Sequence, residues 1–354
     1  MCNRVFLLLL LSLLSACNAS QSLQESFSFS TGGRVQIHPD GSLIDLISAG
    51  SYVELRSAGG NEMVLKLEDG HEKYGWYVLE LDGVYAERGK VLLGAEKKLK
   101  VPKGVKTARI YKATEASNAE ITVRVPKNFK MHATPKKKKI EFIGDSITSG
   151  MGNDTTIACG SENWYDQHNA YYSYAAIAAR MVGADFLLSS VSGMGMYRNW
   201  NTEYREEDSM PEVYQYLHLS RAKEGEFDNS FAPDVVVIAL GTNDLSRGDG
   251  SKFRKDFDYN HFVRRYREFL DLVSKKYPLA EIVLSNSPML HSKDSELLQE
   301  ALNEVRASVD FSSRVHLFRY ENIVPTGCRY QPSIAQDQQM ALQISPLLNT
   351  LLYE

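Results

Sequence analysis

An excess of positive charge is missing from this 354-residue chain, which carries 44 acidic against 40 basic side chains and a formal net charge of −4. A nucleic-acid binder would be expected to present a basic face, so that class is disfavoured. The one basic run, four lysines at 136–139, reads as part of a solvated linker. Cysteine and histidine clusters with metal-ligand spacing are also absent, so no metal site is expected. Nor does a glycine-rich phosphate loop follow the first strand of the α/β pattern, and no cofactor is expected. The apolar run at 5–14 is too short to cross a bilayer comfortably.

That run instead has the parts of a secretory signal peptide: Arg4 before it and Leu14-Ser15-Ala16-Cys17 after it. The small residues ahead of a cysteine resemble a bacterial lipobox. This implies cleavage after residue 16 and a lipid on Cys17, which would anchor the chain in a bacterial cell envelope, facing the periplasm or the surface. The alternative is an ordinary signal peptide whose cleavage site falls near a cysteine. Residues 17–32, rich in Ser and Gln, would then be a lipidated tether. Of the four cysteines, Cys159 and Cys328 are left over as candidates for a disulfide in an oxidising compartment. Sequence does not say whether their Cα atoms come close enough, so the paired and unpaired states both stay open.

From 33 to 131 the pattern is short strands separated by turn residues. Alternating or strand-like segments occupy 52–56, 63–67, 76–81, 106–111 and 121–125, and Pro39-Asp40-Gly41, Ala58-Gly59-Gly60-Asn61 and Asp82-Gly83 mark turns. Strands at this spacing predict an all-β sandwich or jelly roll. After a linker at 132–139 the rhythm becomes strand-helix alternation to 354. Strands are predicted at 140–143, 184–191, 234–240, 281–286 and 314–319, with helices over 170–181, 211–221, 259–276, 295–309 and from Ser333 onward. Five strands alternating with helices predict a three-layer α/β domain with a five-stranded parallel sheet.

Three loops at carboxyl ends of these strands carry small or polar residues: Gly144-Asp145-Ser146, Ser192-Gly193-Met194-Gly195 and Gly241-Thr242-Asn243-Asp244. In an open parallel sheet such loops converge on one mouth, where ligands bind. Acyl transfer by a serine needs a nucleophile, a base in reach and donors aimed at a developing oxyanion. In order and spacing the three blocks resemble those of the SGNH, or GDSL, hydrolases, which have a flavodoxin-like fold. With a β domain in front, nearly the whole mature chain is similar to the family 2 carbohydrate esterases, of the acetylxylan esterase type. The resemblance implies Ser146 as nucleophile, and the Ser146 backbone, Gly193 and Asn243 as the oxyanion hole. It also implies removal of acetyl groups from polysaccharide or oligosaccharide hydroxyls without a metal.

The chain departs from that pattern near its end, at Gly327-Cys328-Arg329-Tyr330-Gln331-Pro332-Ser333. Gln331 stands where the family places its catalytic histidine, and Arg329 where it places the carboxylate partner. A glutamine amide has no basicity near neutral pH, whereas imidazole titrates there. The last of the eight histidines is His316, so none lies between 321 and 332. His291, just after the fourth strand, is the candidate substitute base, or equally a solvated helix-start residue. His168 is a weaker candidate; His38, His71, His132, His218, His261 and His316 read as surface or β-domain residues. Asp337, one turn into the last helix, is a further group near the site in sequence.

Trp164, Tyr165, Tyr197 and Trp200 flank the first two site loops. Trp164, Tyr197 and Trp200 are candidates for a sugar-stacking platform, or else pack the domain. Two functions follow: an acetyl esterase working through an acyl-Ser146 intermediate with its base replaced or lost, or a catalytically impaired relative that binds acylated glycan.

Overall fold

A computed structural model describes residues 27–354 except 68–71, 133–136, 162, 220–222, 224 and 229. The leader, Cys17, the tether up to residue 26, residues 133–136 of the lysine-rich linker and His71 lie outside the described residues.

Eleven strands form the first half: β1 (Ser28–Gly32), β2 (Val35–Ile37), β3 (Leu43–Leu46), β4 (Tyr52–Arg56), β5 (Glu62–Lys66), β6 (Tyr74–Leu81), β7 (Val84–Leu92), β8 (Glu96–Lys100), β9 (Thr107–Lys112), β10 (Ile121–Arg124) and β11 (Lys130–Met131). They make a six-stranded sheet in the order β11-β1-β4-β9-β6-β7 and a five-stranded sheet in the order β2-β3-β10-β5-β8. All neighbours are antiparallel except β1 and β11. Ile44, Leu46, Val53, Leu55, Leu65, Ile110 and Val123 fill the space between the sheets, as the inner faces of a sandwich require. The Asp82-Gly83 turn joins β6 to β7, both residues having positive φ (49° and 79°), the conformation a two-residue hairpin favours. Strands β7 and β8 were not expected from the sequence, because as sheet edges they are charged and largely exposed.

The second half supplies β12 (Lys139–Gly144), β13 (Asp185–Ser190), β14 (Val235–Ala239), β15 (Glu281–Ser285) and β16 (Val315–Phe318). These form one parallel sheet in the order β13-β12-β14-β15-β16. Helices α1 (Ser146–Ser149), α2 (Tyr174–Met181), α3 (Met210–Val213), α4 (Thr242–Leu245), α5 (Tyr259–Lys276), α6 (Ser292–Ala307) and α7 (Ile334–Tyr353) complete it. In α5 the buried residues Phe262, Val263, Tyr266, Phe269, Leu270 and Val273 fall on one stripe, the spacing an amphipathic helix presents to a sheet. The helix expected over 211–221 shrinks to the four residues of α3, followed by turns and an isolated bridge between Tyr216 and Glu226. The backbone beyond α3 is held instead by Arg34 of the β half, whose guanidinium donates to the carbonyls of Tyr214 and Tyr216.

The central strands of the six-stranded sheet, β4, β9 and β6, are buried on both faces. One faces the β core; the other sets Tyr52, Tyr74, Trp76, Val78 and Tyr111 against Phe142, Tyr174 and Phe186 of the α/β half. Tyr111 and Phe186 stack with ring planes 3° apart. Burying an aromatic side chain contributes about 1.5–3 kcal/mol, so this shared core is a strong adhesive between the halves. Arg34 adds a polar pin: it is fully buried, donates to Ser189 Oγ at 3.0 Å, and reaches buried Glu141 through that hydroxyl.

Candidate active site

Register aligns the site. Gly144 at the end of β12 pairs with Ser190 of β13 on one side and Ala239 of β14 on the other. The loops after all three strands therefore leave the sheet at one level, where the strand order reverses, which is where open α/β sheets bind ligands.

The turn into α1 needs glycine at 144, because a Cβ there would overlap the Thr148 side chain. Asp145 caps α1, its Oδ1 accepting from the Ile147 N–H at 3.0 Å. Such a cap satisfies one of the orphan donors of a helix start. Ser146 is thus the first helical residue and is buried, with a side chain at the mouth of the sheet. Burial, and beyond it the neighbouring Asp244, push the Asp145 carboxyl up to about 7, against hydrogen bonds from Ile147 and Thr242.

Gly193 has φ +80°, a conformation glycine adopts without strain. Its carbonyl accepts from the Trp200 N–H at 2.7 Å, which seats Trp200 beside it. The backbone N–H groups of Ser146 and Gly193 have no protein partner among the described residues. Asp244 organises this loop, accepting from the N–H groups of Met196 (2.8 Å), Tyr197 (2.8 Å) and Arg198 (3.3 Å). Asn243, expected as a third oxyanion donor, is placed beside these groups but has both amide hydrogens engaged. Its Nδ2 donates to Met194 O at 2.8 Å and to Asp145 Oδ2 at 3.2 Å. An amide carries only two hydrogens, so as it stands Asn243 has none to offer an oxyanion.

A residue that sequence reasoning missed holds the same loop from the β half. Glu115 accepts from the Ser192 N–H at 2.9 Å and from the Ser192 hydroxyl. Burial raises its pKa, opposed by hydrogen bonds from Ser117 and Ser192. Nothing in the local sequence marks it, since its partner lies 77 residues away.

Gln331 comes to the serine. Its Nε2 donates to Ser146 Oγ at 3.1 Å, while its Oε1 is buried with no hydrogen-bond partner among the described residues. The loop that carries it is tied down at three points. Cys328 N–H donates to Gly152 O at 2.8 Å, and Gly327 N–H donates to Gln331 O at 2.7 Å. The structure also joins Cys159 and Cys328 in a disulfide, with Cα atoms 5.3 Å apart, within the range such bridges span. Gly152 is required here because a Cβ would sit 2.5 Å from Cys328 O. Between cysteine and glutamine, Arg329 and Tyr330 both have positive φ (56° and 62°), a strained choice for non-glycine residues. It turns Tyr330 outward, 86% exposed, and leaves Arg329, which stands where the family places the carboxylate partner, exposed as well.

No histidine hydrogen-bonds Ser146 among the described residues. His291 is exposed at the start of α6 and caps nothing with its side chain. His168 is fully buried, neither ring nitrogen has a hydrogen-bond partner among the described residues, and burial, with Arg88 and Arg329 nearby, pushes its pKa down to about 3. His38, His218 and His316 pair with Asp45, Glu120 and Glu281. His218 is buried rather than on the surface. Asp337 does not reach the serine: it is buried, accepting from Asn153 Nδ2 (2.9 Å) and the Tyr174 N–H (3.1 Å).

Trp164 and Trp200 remain on the surface, 37% and 45% exposed. Tyr197 lines the same groove as Trp200 but is buried in its wall. It is only 4% exposed, packs on Phe257, His261 and Phe262, and its hydroxyl accepts from the Asp258 N–H. Tyr165 is likewise buried, against Tyr74. An open groove of about 1030 Å³ runs from Gly193 past Trp200 and Tyr204 to Asp208 and Lys252. Among the described residues no group of three or more Cys, His, Asp or Glu could hold a metal ion.

A serine at the mouth of a 2-1-3-4-5 parallel sheet, with Gly and Asn blocks on the two following strands, defines an SGNH-type hydrolase domain. The chain belongs to the GDSL-like lipase/acylhydrolase family, whose model matches residues 142–329. It is 25% identical to an acetylxylan esterase/glucomannan deacetylase of Cellvibrio japonicus, over 80% of this chain and 79% of that one. It is 30% identical to the cellulase/esterase CelE of Acetivibrio thermocellus over 84% of this chain, but spans only 36% of that longer protein. Among solved structures, a family two carbohydrate esterase from Clostridium thermocellum in complex with cellohexaose superposes with a TM-score of 0.76. The two are 27% identical, with 91% of this chain and 98% of that one covered.

Proposed function

We propose that the Ser146 cleft recognises an acylated carbohydrate, and that hydrolysis through an acyl-Ser146 intermediate is impaired in this chain. The observation that carries this is the hydrogen bond in which Gln331 Nε2 donates to Ser146 Oγ at 3.1 Å. A general base must accept the hydroxyl proton as the oxygen attacks. Here the side chain in the base's place gives the oxygen a hydrogen and has no basicity with which to take one. His291 and His168 make no hydrogen bond to the serine, and His168 is held neutral and fully buried. Carbohydrate as the ligand class is supported by the relatives named above and by the exposed indoles of Trp164 and Trp200 at the flanking loops. Two unengaged backbone donors, at Ser146 and Gly193, suit an acyl carbonyl.

The test is turnover of an aryl acetate and of an acetylated oligosaccharide, with binding of the oligosaccharide measured in parallel. Binding with negligible turnover is expected. Turnover by the parent that Ser146→Ala abolishes would make the chain a working esterase and send the search for its base to His291. For the cell-envelope location, we propose the lipid on Cys17 as the anchor. Metabolic labelling with a fatty acid should mark the parent and not Cys17→Ser; equal labelling of both would refute it.

A further inference from the structure

The loop that carries Gly193 has one stretch its own half does not hold. The ladder between β12 and β13 gives out at Val191, whose N–H donates to Gly144 O at 3.4 Å. Asn199 and Asp244 take hold again from Gly195 and Met196 onward. Between them lies the peptide unit from Ser192 to Gly193, which carries the Gly193 N–H. A peptide unit is planar, so that N–H points where the dihedrals on either side send it. With glycine on one side, rotating the unit costs little. On the other side Ser192 is fixed from the β half: the Glu115 carboxyl accepts from its N–H at 2.9 Å and from its hydroxyl.

Glu115 is itself anchored. It is 1% exposed, and the Ser117 hydroxyl donates to its other carboxyl oxygen. Its carbonyl accepts at 2.8 Å from Nζ of Lys112, a fully buried lysine that also donates to the carbonyls of Ile47 and Asn118. Ala113 O accepts from the Ala170 N–H at 2.9 Å, and Ala116 packs into the core of the α/β half. The turn at 113–118 is thus a wedge of the β half set against the mouth of the parallel sheet. Resting on the assignment of the cleft to an acylated carbohydrate, we infer that Glu115 is a positioning residue for the Gly193 donor. Recognition of the acyl carbonyl then depends on the β half, and Glu115 acts through Ser192 rather than by touching the ligand.

The experiment is calorimetric titration of the full chain with an O-acetylated xylo-oligosaccharide and with the same oligosaccharide after deacetylation, a glucomannan-derived pair being run alongside. The parent should prefer the acetylated form. One oriented donor is worth about three- to tenfold in affinity. Glu115→Met should therefore cut the preference by that factor and leave affinity for the deacetylated form unchanged. Glu115→Gln should restore it, because its amide oxygen can accept both Ser192 hydrogens while its NH2 donates to Ser117 Oγ. Glu115→Asp holds the carboxyl one methylene back and should lose the preference as Met does, so a Met variant that fails to fold leaves the inference open to refutation. A folded Met or Asp variant that weakens both ligands alike, or keeps the full preference, overturns the inference and leaves the carbohydrate cleft standing. So does a parent that binds both forms equally. Binding of neither form of either pair by the parent overturns the carbohydrate reading, and the inference with it.

Discussion

Substituting histidine for Gln331 is the most direct probe of the site, because backbone and disulfide already hold that position against Ser146. The loop is fixed by the hydrogen bonds between Cys328 and Gly152 and between Gly327 and Gln331. The present side chain reaches Ser146 Oγ at 3.1 Å, so an imidazole on the same Cα would fall within reach of it. Losing a base costs serine hydrolases on the order of 10⁶ in turnover. An imidazole without its carboxylate orienter forfeits about 10⁴ of that. Since Arg329 occupies the orienter's position in sequence, Gln331→His alone should raise aryl acetate turnover by about 10²-fold. Adding Arg329→Asp should raise it further. A ceiling remains, because one missing oxyanion donor costs about 10²–10³ and both Asn243 hydrogens are engaged. The assay is chromogenic acetate hydrolysis, with Ser146→Ala combined in each background to define the serine-dependent part. A folded double variant with no serine-dependent gain would refute the placement of Gln331 as the vacated base. So would a parent already as fast as the double variant.

Reducing the Cys159–Cys328 bridge, or Cys159→Ser, should destabilise the chain by up to about 5 kcal/mol, the chain-entropy value for a loop of this length; the bridge spans 169 residues. A thermal midpoint unmoved by dithiothreitol would contradict it. Arg34→Met should cost about 1.5–3 kcal/mol in denaturant unfolding, because it removes the charged donor to the Tyr214 and Tyr216 carbonyls and weakens the charge balance at buried Glu141, and adding Glu141→Gln should recover part of the loss. No recovery would mean that Arg34 acts through packing on Phe227 and Tyr214 rather than charge. Asp145 has its folded pKa raised from 3.8 to about 7. The folded state therefore holds that proton more tightly than the unfolded one, and this contribution to stability falls as pH rises from about 4 to 7. The fall is at most about 4 kcal/mol, and Asp145→Asn should flatten it; an unchanged profile would remove Asp145 as the cause.

Much of the fold was legible because it is written in local periodicity. The apolar run 235–239 is buried on both faces of the sheet, α5 runs from Tyr259 to Lys276 as its pattern predicts, and the Asp82-Gly83 turn makes a hairpin. The three polar loops were legible for the same reason: each directly follows a strand, and parallel register carries all of them to one mouth. So was the substitution at 331, because residue identity needs no coordinates. What long-range packing arranges was not legible. Tyr197 lines the groove beside Trp200, but that Phe257 and Phe262 bury most of its ring is not written in the local sequence. Asn243 reads as a donor until Met194 O and Asp145 are seen to take its hydrogens. Glu115 reaches Ser192 only because the two halves share an aromatic core. By itself the sequence determined which chemical groups the site contains and that it lacks a base at 331. Only the tertiary structure decided which of those groups are engaged and which are left for a ligand, because hydrogen-bond partners 49 to 185 residues apart are set by packing, not by chain order.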